Sequence, residues 1–228
     1  MSHWTAQSLD DVQGKVWTIV VAGGSGIRFG ARKQFLEIAG RTVVQRSVDA
    51  AIGQSAGVIV VVPTDAVKTT VIDAGSAELH VVEGGASRAE SVRAGLSVIP
   101  DDATVVLVHD AARPLASPAL FGRVIEAVTG GAHAVVPAVA VADTIRHRDG
   151  GVIDRADLLA VQTPQGFDVA TLRMAHASND DATDDATLVE ALGHEVVIVE
   201  GEAVNNKLTE PTDLLAAESI IESLAGKN

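Results

Sequence analysis

Short runs of valine, isoleucine and leucine alternate along this chain with alanine-rich stretches of helical period. Such alternation predicts parallel strands buried on both faces and covered by helices. The strands fall at 16–21, 57–63, 79–82, 104–108, 132–136 and 195–199. The helices fall at 42–52, with Val43, Val44, Val48 and Ala51 on one face, and at 65–73, 87–98, 117–129 and 211–224. Pro118 suits a first helical position, and Leu214, Leu215 and Ile221 are spaced along the last helix. The expected fold is α/β, a Rossmann-like and mostly parallel sheet flanked by helices.

One segment departs from the plan. Between 141 and 158, Thr144-Ile145-Arg146-His147-Arg148 and Val152-Ile153-Asp154-Arg155 flank Asp149-Gly150-Gly151, a strong hairpin signal in a stretch too polar for core. An isolated hairpin is marginal in water, so this arm is expected to dock, most economically on a second copy of the chain. No repeat or low-complexity linker interrupts the rest. Residues 1–14 form an N-terminal extension and 15–228 a single domain.

Charge narrows the partners. Acidic residues outnumber basic ones by 30 to 17, giving a formal charge of −13, which speaks against a nucleic-acid track or an anionic membrane surface. Any anion must therefore bind in a local basic pocket. No apolar run approaches the ~20 residues of a membrane span, and 1–14 lacks a signal-peptide core, so the expectation is a cytoplasmic protein. The absence of cysteine removes disulfide, thiolate and Cys-metal chemistry.

The candidate chemistry begins at the end of the first strand. Gly23, Gly24, Gly26 and Gly30 let a ligand approach the backbone, and Arg28 and Lys33 follow within reach of one triphosphate, although a solvated surface pair is the plainer alternative. Phe29 stands where a dinucleotide fingerprint needs its third glycine, and the P-loop pattern is absent. The strand 104–108 leads into His109-Asp110-Ala111-Ala112-Arg113-Pro114, polar residues where open α/β sheets place ligands. Asp110 could orient a cation or bind hydroxyls and Arg113 could hold a phosphate, or the two could simply pair. Lys207 lies after the last strand, Thr163-Pro164-Gln165 forms a turn, and Thr144 and Arg155 sit on opposite limbs of the hairpin. Thr183-Asp184-Asp185 reads as a helix cap rather than a metal cluster, and His109 as a strand-end hydrogen bonder. The seven histidines lack zinc spacing.

Cations at several strand ends, without a nucleophile elbow, a cysteine or an activated base, point to phosphate attacking phosphate. A phosphomonoester with its second pKa near about 6 is already a dianion at neutral pH. Such a reaction needs alignment and charge neutralisation, which cations and a divalent metal supply.

In order, AGGSGIRFGARKQF (22–35), GGASRAESVRAGL (84–96), VLVHDAARP (106–114), ADTIR (142–146), QTPQGF (162–167), TDDATLVE (183–190) and NNKLTEPTDL (205–214) resemble the 2-C-methyl-D-erythritol 4-phosphate cytidylyltransferases over nearly the whole chain. The resemblance implies a nucleotide-diphospho-sugar-transferase fold and a homodimer joined through the hairpin arm. It also implies CTP and an alditol phosphate as substrates, with Mg²⁺ held mainly by the CTP phosphates and Asp110 as its protein ligand. Ala22, Gly23, Gly24, Gly85, Ser91, Asp110 and Ala111 would hold CTP, with Gly85 and Ser91 near the cytosine. Arg28, Lys33, Arg155 and Lys207 would carry catalysis. Asp110, Arg113, Thr144, Thr163, Arg155 and Lys207 would bind the acceptor, with Thr144 and Arg155 serving the neighbour's site. Val21, Arg32, Ala86 and Val204 depart from the family pattern. Ribitol-5-phosphate cytidylyltransferases share most of these motifs; a nicotinamide dehydrogenase and an inactive nucleotide-binding regulator are the rivals from other classes.

Overall fold

β-Branched side chains are stiff at χ1 and pack well on a pleated surface, and in the computed structural model, which describes residues 16–23, 32–178 and 184–225, the valine-rich runs become one sheet. In chain order, Val16–Val21 (β1) precedes a small ribbon of Glu37–Ile38 (β2) and Arg41–Thr42 (β3), then the helix Val43–Ile52 (α1). Gly57–Val62 (β4), Glu78–Glu83 (β5), Arg88–Leu96 (α2), Val105–Asp110 (β6), Pro118–Thr129 (α3) and Ala134–Ala140 (β7) follow. The arm holds Ile145–Arg146 (β8) and Val152–Ile153 (β9). Leu159–Val161 (β10), Gln165–Asp168 (β11), Val169–His176 (α4), Asp185–Ala191 (α5), Val196–Glu200 (β12) and Pro211–Ala225 (α6) complete the fold.

The strand order is β5-β4-β1-β6-β11-β7, with β10 also on β7 and β12 pairing β7 in parallel. Only β10 and β11 run antiparallel to their neighbours in this sheet. From β1 the chain first winds outward through β4 to β5, then returns to place β6 on the other side of β1. That reversal opens a crevice at the carboxyl ends of β1 and β6, where doubly wound sheets bind ligands.

Both faces of the sheet are covered. Val20, Val60 and Leu107 pack with Val44 and Val48 of α1 and Leu120, Phe121 and Val124 of α3. On the other face Ile19, Val61 and Val108 pack with Val92 and Leu96 of α2, Leu172 of α4 and Val189 of α5. Helix α2 comes close because Gly95 has no side chain: a Cβ there would stand 2.7 Å from Ile19 Cγ2. Thr42, Ser87, Ser117, Asp168 and Asp184 each cap the helix that follows by accepting from its first-turn N–H groups.

Three expectations are corrected. The helix expected at 65–73 is only a 3₁₀ turn, Thr64–Ala66, because Val67, Val71 and Ile72 are weak helix formers and the Thr69 and Thr70 hydroxyls donate to Ala66 O. Strand β6 runs two residues further and takes in His109 and Asp110. Segments β10, β11 and α4 were not foreseen; Gln165 and Gly166 have little strand preference and are held by β6 and β7 on either side.

Candidate active site

The last residues of β1 and β6, Val21 and Asp110, stand opposite each other in register, and Ala111 N donates to Val21 O at 3.0 Å. Ala22 lies beside them: its N–H donates to Val61 O at 2.7 Å, and its carbonyl accepts from the buried Gln34 side chain at 2.8 Å. The Ser91 hydroxyl, donating to Ser87 O at 2.9 Å, sits between two glycine backbones. A Cβ on Gly23 would lie 3.2 Å from this oxygen and one on Gly84 2.9 Å. Ser91 thus joins the glycine turn after β1 to the one after β5. Gly85 has a reason of its own, since a Cβ there would collide with Glu90, whose carboxylate accepts from Ala86 N at 2.6 Å.

Asp110 is the electrostatic centre. Lys207 Nζ donates to its Oδ2 at 2.6 Å and Arg88 Nε lies 3.5 Å from Oδ1. Burial opposes ionisation of this carboxyl, yet the charges of Lys207 and Arg88, helped by Arg113, outweigh it and hold the group well below the usual carboxylate range. Arg113, for which a pair with Asp110 was the alternative to holding a phosphate, makes no ion pair with it among the described residues. Its guanidinium instead donates to Asn205 O at 2.8 Å and Val161 O at 3.2 Å, fastening the 205–209 loop to the sheet. Leu208 N donates to Ala112 O at 2.8 Å, and Leu208 O accepts from Lys33 Nζ. One loop therefore brings Lys33 and Lys207 to the same strand end.

Behind Asp110 the hydrogen bonds fix a tautomer. Asp110 N donates to Thr163 Oγ1 at 3.0 Å, leaving that hydroxyl to donate to His109 Nδ1 at 3.0 Å, while Nε2–H of His109 faces Arg113 O at 3.2 Å. His109 is neutral in this arrangement, and its burial is the main force that pushes its pKa from 6.5 down to about 4, with Arg113 adding to it. Because the unfolded chain binds this proton more readily, His109 contributes stability that is complete above pH 6.5 and is lost as pH falls to about 4. The loss is of the order of 3 kcal/mol. Urea unfolding above and below this window should show it, and His109→Gln should flatten the decline.

Ala22, Gly23, Ser91, Asp110, Ala111, Thr163, Lys207 and Lys33 are thus gathered around one crevice, with Arg113 bracing it. Gly24, Arg28 and Thr183 lie outside the described residues. Arg32 pairs with Asp65 at 2.8 Å on the surface. Thr144 and Arg155 are exposed on the arm, where Arg155 donates to Ala142 O; among the described residues, no hydrogen bond or ion pair joins either to the crevice. Asp184 is the cap expected of it, whereas Asp185 is buried in an ion pair. Arg88 is the residue that sequence reasoning passed over. Its signal was its place in the first turn of a helix that starts at a strand's carboxyl end.

A family model described as 2-C-methyl-D-erythritol 4-phosphate cytidylyltransferase (IspD) matches residues 16–223. The chain belongs to this family of nucleotidyltransferases. It is 44% identical to the enzyme of that name from Rhodococcus jostii over 93% of this chain and 97% of the relative. The Nocardia farcinica enzyme is also 44% identical, over 94% of this chain and 97% of the relative. Among solved structures, the Thermus thermophilus cytidylyltransferase superposes with a TM-score of 0.77 at 38% identity, covering 90% of this chain and 98% of that one. Val21, Arg32, Ala86 and Val204 contribute no side chain to the ion pairs of Asp110.

Proposed function

We propose that this IspD-family chain transfers CMP from CTP to 2-C-methyl-D-erythritol 4-phosphate, giving 4-diphosphocytidyl-2-C-methyl-D-erythritol and pyrophosphate in the non-mevalonate route to isoprenoid precursors. The observation that carries this reading is the local excess of positive charge, Lys207, Arg88 and Arg113 against the carboxylates Asp110 and Asp185, at the sheet's switch point beside bare glycine backbone. In a chain of charge −13, it is a pocket built for a polyanion.

The chemistry then follows. An oxygen of the acceptor phosphate attacks the α-phosphorus in line; the bond from that phosphorus to the β-phosphate oxygen breaks, and pyrophosphate leaves with the electron pair. No protein base is needed. The backbones of Ala22, Gly23, Gly24 and Ala111 cradle the nucleotide, with Gly85 and Ser91 at the cytosine, while Lys33 and Arg28 oppose charge developing on the phosphates. Lys207 exchanges Asp110 for the acceptor phosphate, and Thr163, Arg113, Thr144 and Arg155 complete the acceptor pocket. Both Asp110 oxygens already face cations, and the described residues hold no group of three or more metal-ligating side chains. Once Lys207 has passed to the acceptor phosphate, Asp110 Oδ2 would be free to contact a Mg²⁺ carried mainly by substrate phosphates. When bound, the ion neutralises triphosphate charge.

The arm carries exposed Val152 and Ile153, and the neighbouring strand β10 exposes Leu159 and Val161, apolar surface suited to burial in a homodimer. None of the described helices is long and apolar enough to cross a membrane, and the reading places the enzyme in the cytoplasm. Pyrophosphate release from CTP with a panel of alditol phosphates tests the assignment: turnover is expected with methylerythritol phosphate, and preference for ribitol 5-phosphate would overturn the acceptor.

A further inference from the structure

We infer that Arg88 is a positioning residue for Asp110, and that Asp185 and His176 form a buried anchor that holds its guanidinium in place; this rests on the cytidylyltransferase reading above. Arg88, the first residue of α2, divides its fork between two carboxylates. Nε lies 3.5 Å from Asp110 Oδ1, and Nη1 donates to Asp185 Oδ2 at 2.6 Å. Asp185, the first residue of α5, is 1% exposed, and its other oxygen meets His176 Nε2 at 2.9 Å. His176, the last residue of α4, is 4% exposed, and its Nδ1 has no hydrogen-bond partner among the described residues.

His176 Nε2 faces the Asp185 oxygen that Arg88 does not take, so the buried carboxylate is held from both sides. A buried carboxylate is costly unless fully engaged, and a pair serving only to join α2 to α5 would need no contact with Asp110. Here the same guanidinium reaches the carboxylate that holds Lys207. If Arg88 is displaced, Asp110 is free to shift and takes the Lys207 ammonium with it. Arginine is required because a lysine cannot reach both carboxylates with fixed geometry.

The test compares wild type with Arg88→Lys, His176→Gln and His176→Leu by steady-state kinetics, melting temperature and the position of the Asp110 carboxylate in crystal structures of the variants. The glutamine variant keeps an N–H donor toward Asp185, and the leucine variant does not. Arg88→Lys should lower kcat by about 100-fold with KM for CTP nearly unchanged, the scale of loss that a misplacement of about 1 Å can cause. His176→Leu should lower kcat and displace the Asp110 carboxylate, and His176→Gln should restore both. Wild-type kcat in folded Arg88→Lys, or equal effects of the two His176 substitutions, would overturn the inference. Should wild type show no turnover, the functional reading fails instead, and the placement of Asp110 in the variant structures still decides whether the anchor positions that carboxyl.

Discussion

Replacing Lys207 with alanine should lower kcat/KM for the acceptor phosphate by about 100-fold, the scale of loss when a reacting group is no longer held in place, with little change in melting temperature. The Lys207 side chain is 44% exposed, whereas that of Asp110 is only 12% exposed. Its ammonium is therefore open to an incoming phosphate while resting on a carboxylate set into the crevice wall. An ion pair so open to water contributes little to stability. Removing Lys207 leaves Asp110 still facing Arg88 and under the field of Arg113, so no uncompensated buried charge results. Lys207→Arg should recover only part of the rate, since a planar fork does not reproduce a compact ammonium that can pass from carboxylate to phosphate. Pyrophosphate release and a thermal melt on the same samples separate the two effects. An unchanged kcat/KM for the acceptor would remove Lys207 from the site, and a loss of folding in step with the loss of rate would make it structural.

The sheet was legible because its central strands are buried on both faces, so their composition alone marks them: Val16–Val21 and Gly57–Val62 are almost unbroken apolar runs. The helix starts were legible for a different reason. Ser87, Ser117 and Asp184 are capping side chains whose preference is local. Strand β11 was not, because Gly166 is selected by contact: a Cβ there would stand 2.4 Å from Val124 Cγ1. Nothing near it in sequence announces a constraint imposed by α3.

The site divides along the same line. Asp110 could be picked out because it lies at the carboxyl end of a strand, where open α/β sheets place ligands, and Lys207 because a cation lies at another strand end. That these two meet, 97 residues apart in sequence, is a product of topology. Arg113 shows the converse. Its proximity in sequence to Asp110 suggested a pair, but the turn after β6 directs its guanidinium to backbone carbonyls, and Lys207 and Arg88 take the carboxylate instead. Arg88 was overlooked because its two partners, Asp110 and Asp185, come from other elements of the fold.

Mixing inactive Arg155→Ala and Lys33→Ala subunits should restore about one quarter of wild-type activity if the arm completes a neighbour's site across a two-fold dimer. Arg155 is exposed on the arm, its hydrogen bond going to Ala142 O within that arm, whereas Lys33 is tied to the crevice through Leu208 O. In a heterodimer the Arg155→Ala subunit keeps Lys33 and receives an intact Arg155 from its neighbour, so one site is whole; the other site carries both lesions. Random exchange makes about half the dimers mixed, and half the sites in each are whole. An arm that served its own subunit would instead give two sites with one lesion each, and no recovery. Activity measured after subunit exchange, with the mixed dimer verified by differential tagging, therefore separates the two geometries, and a verified heterodimer without activity would confine each arm to its own protomer.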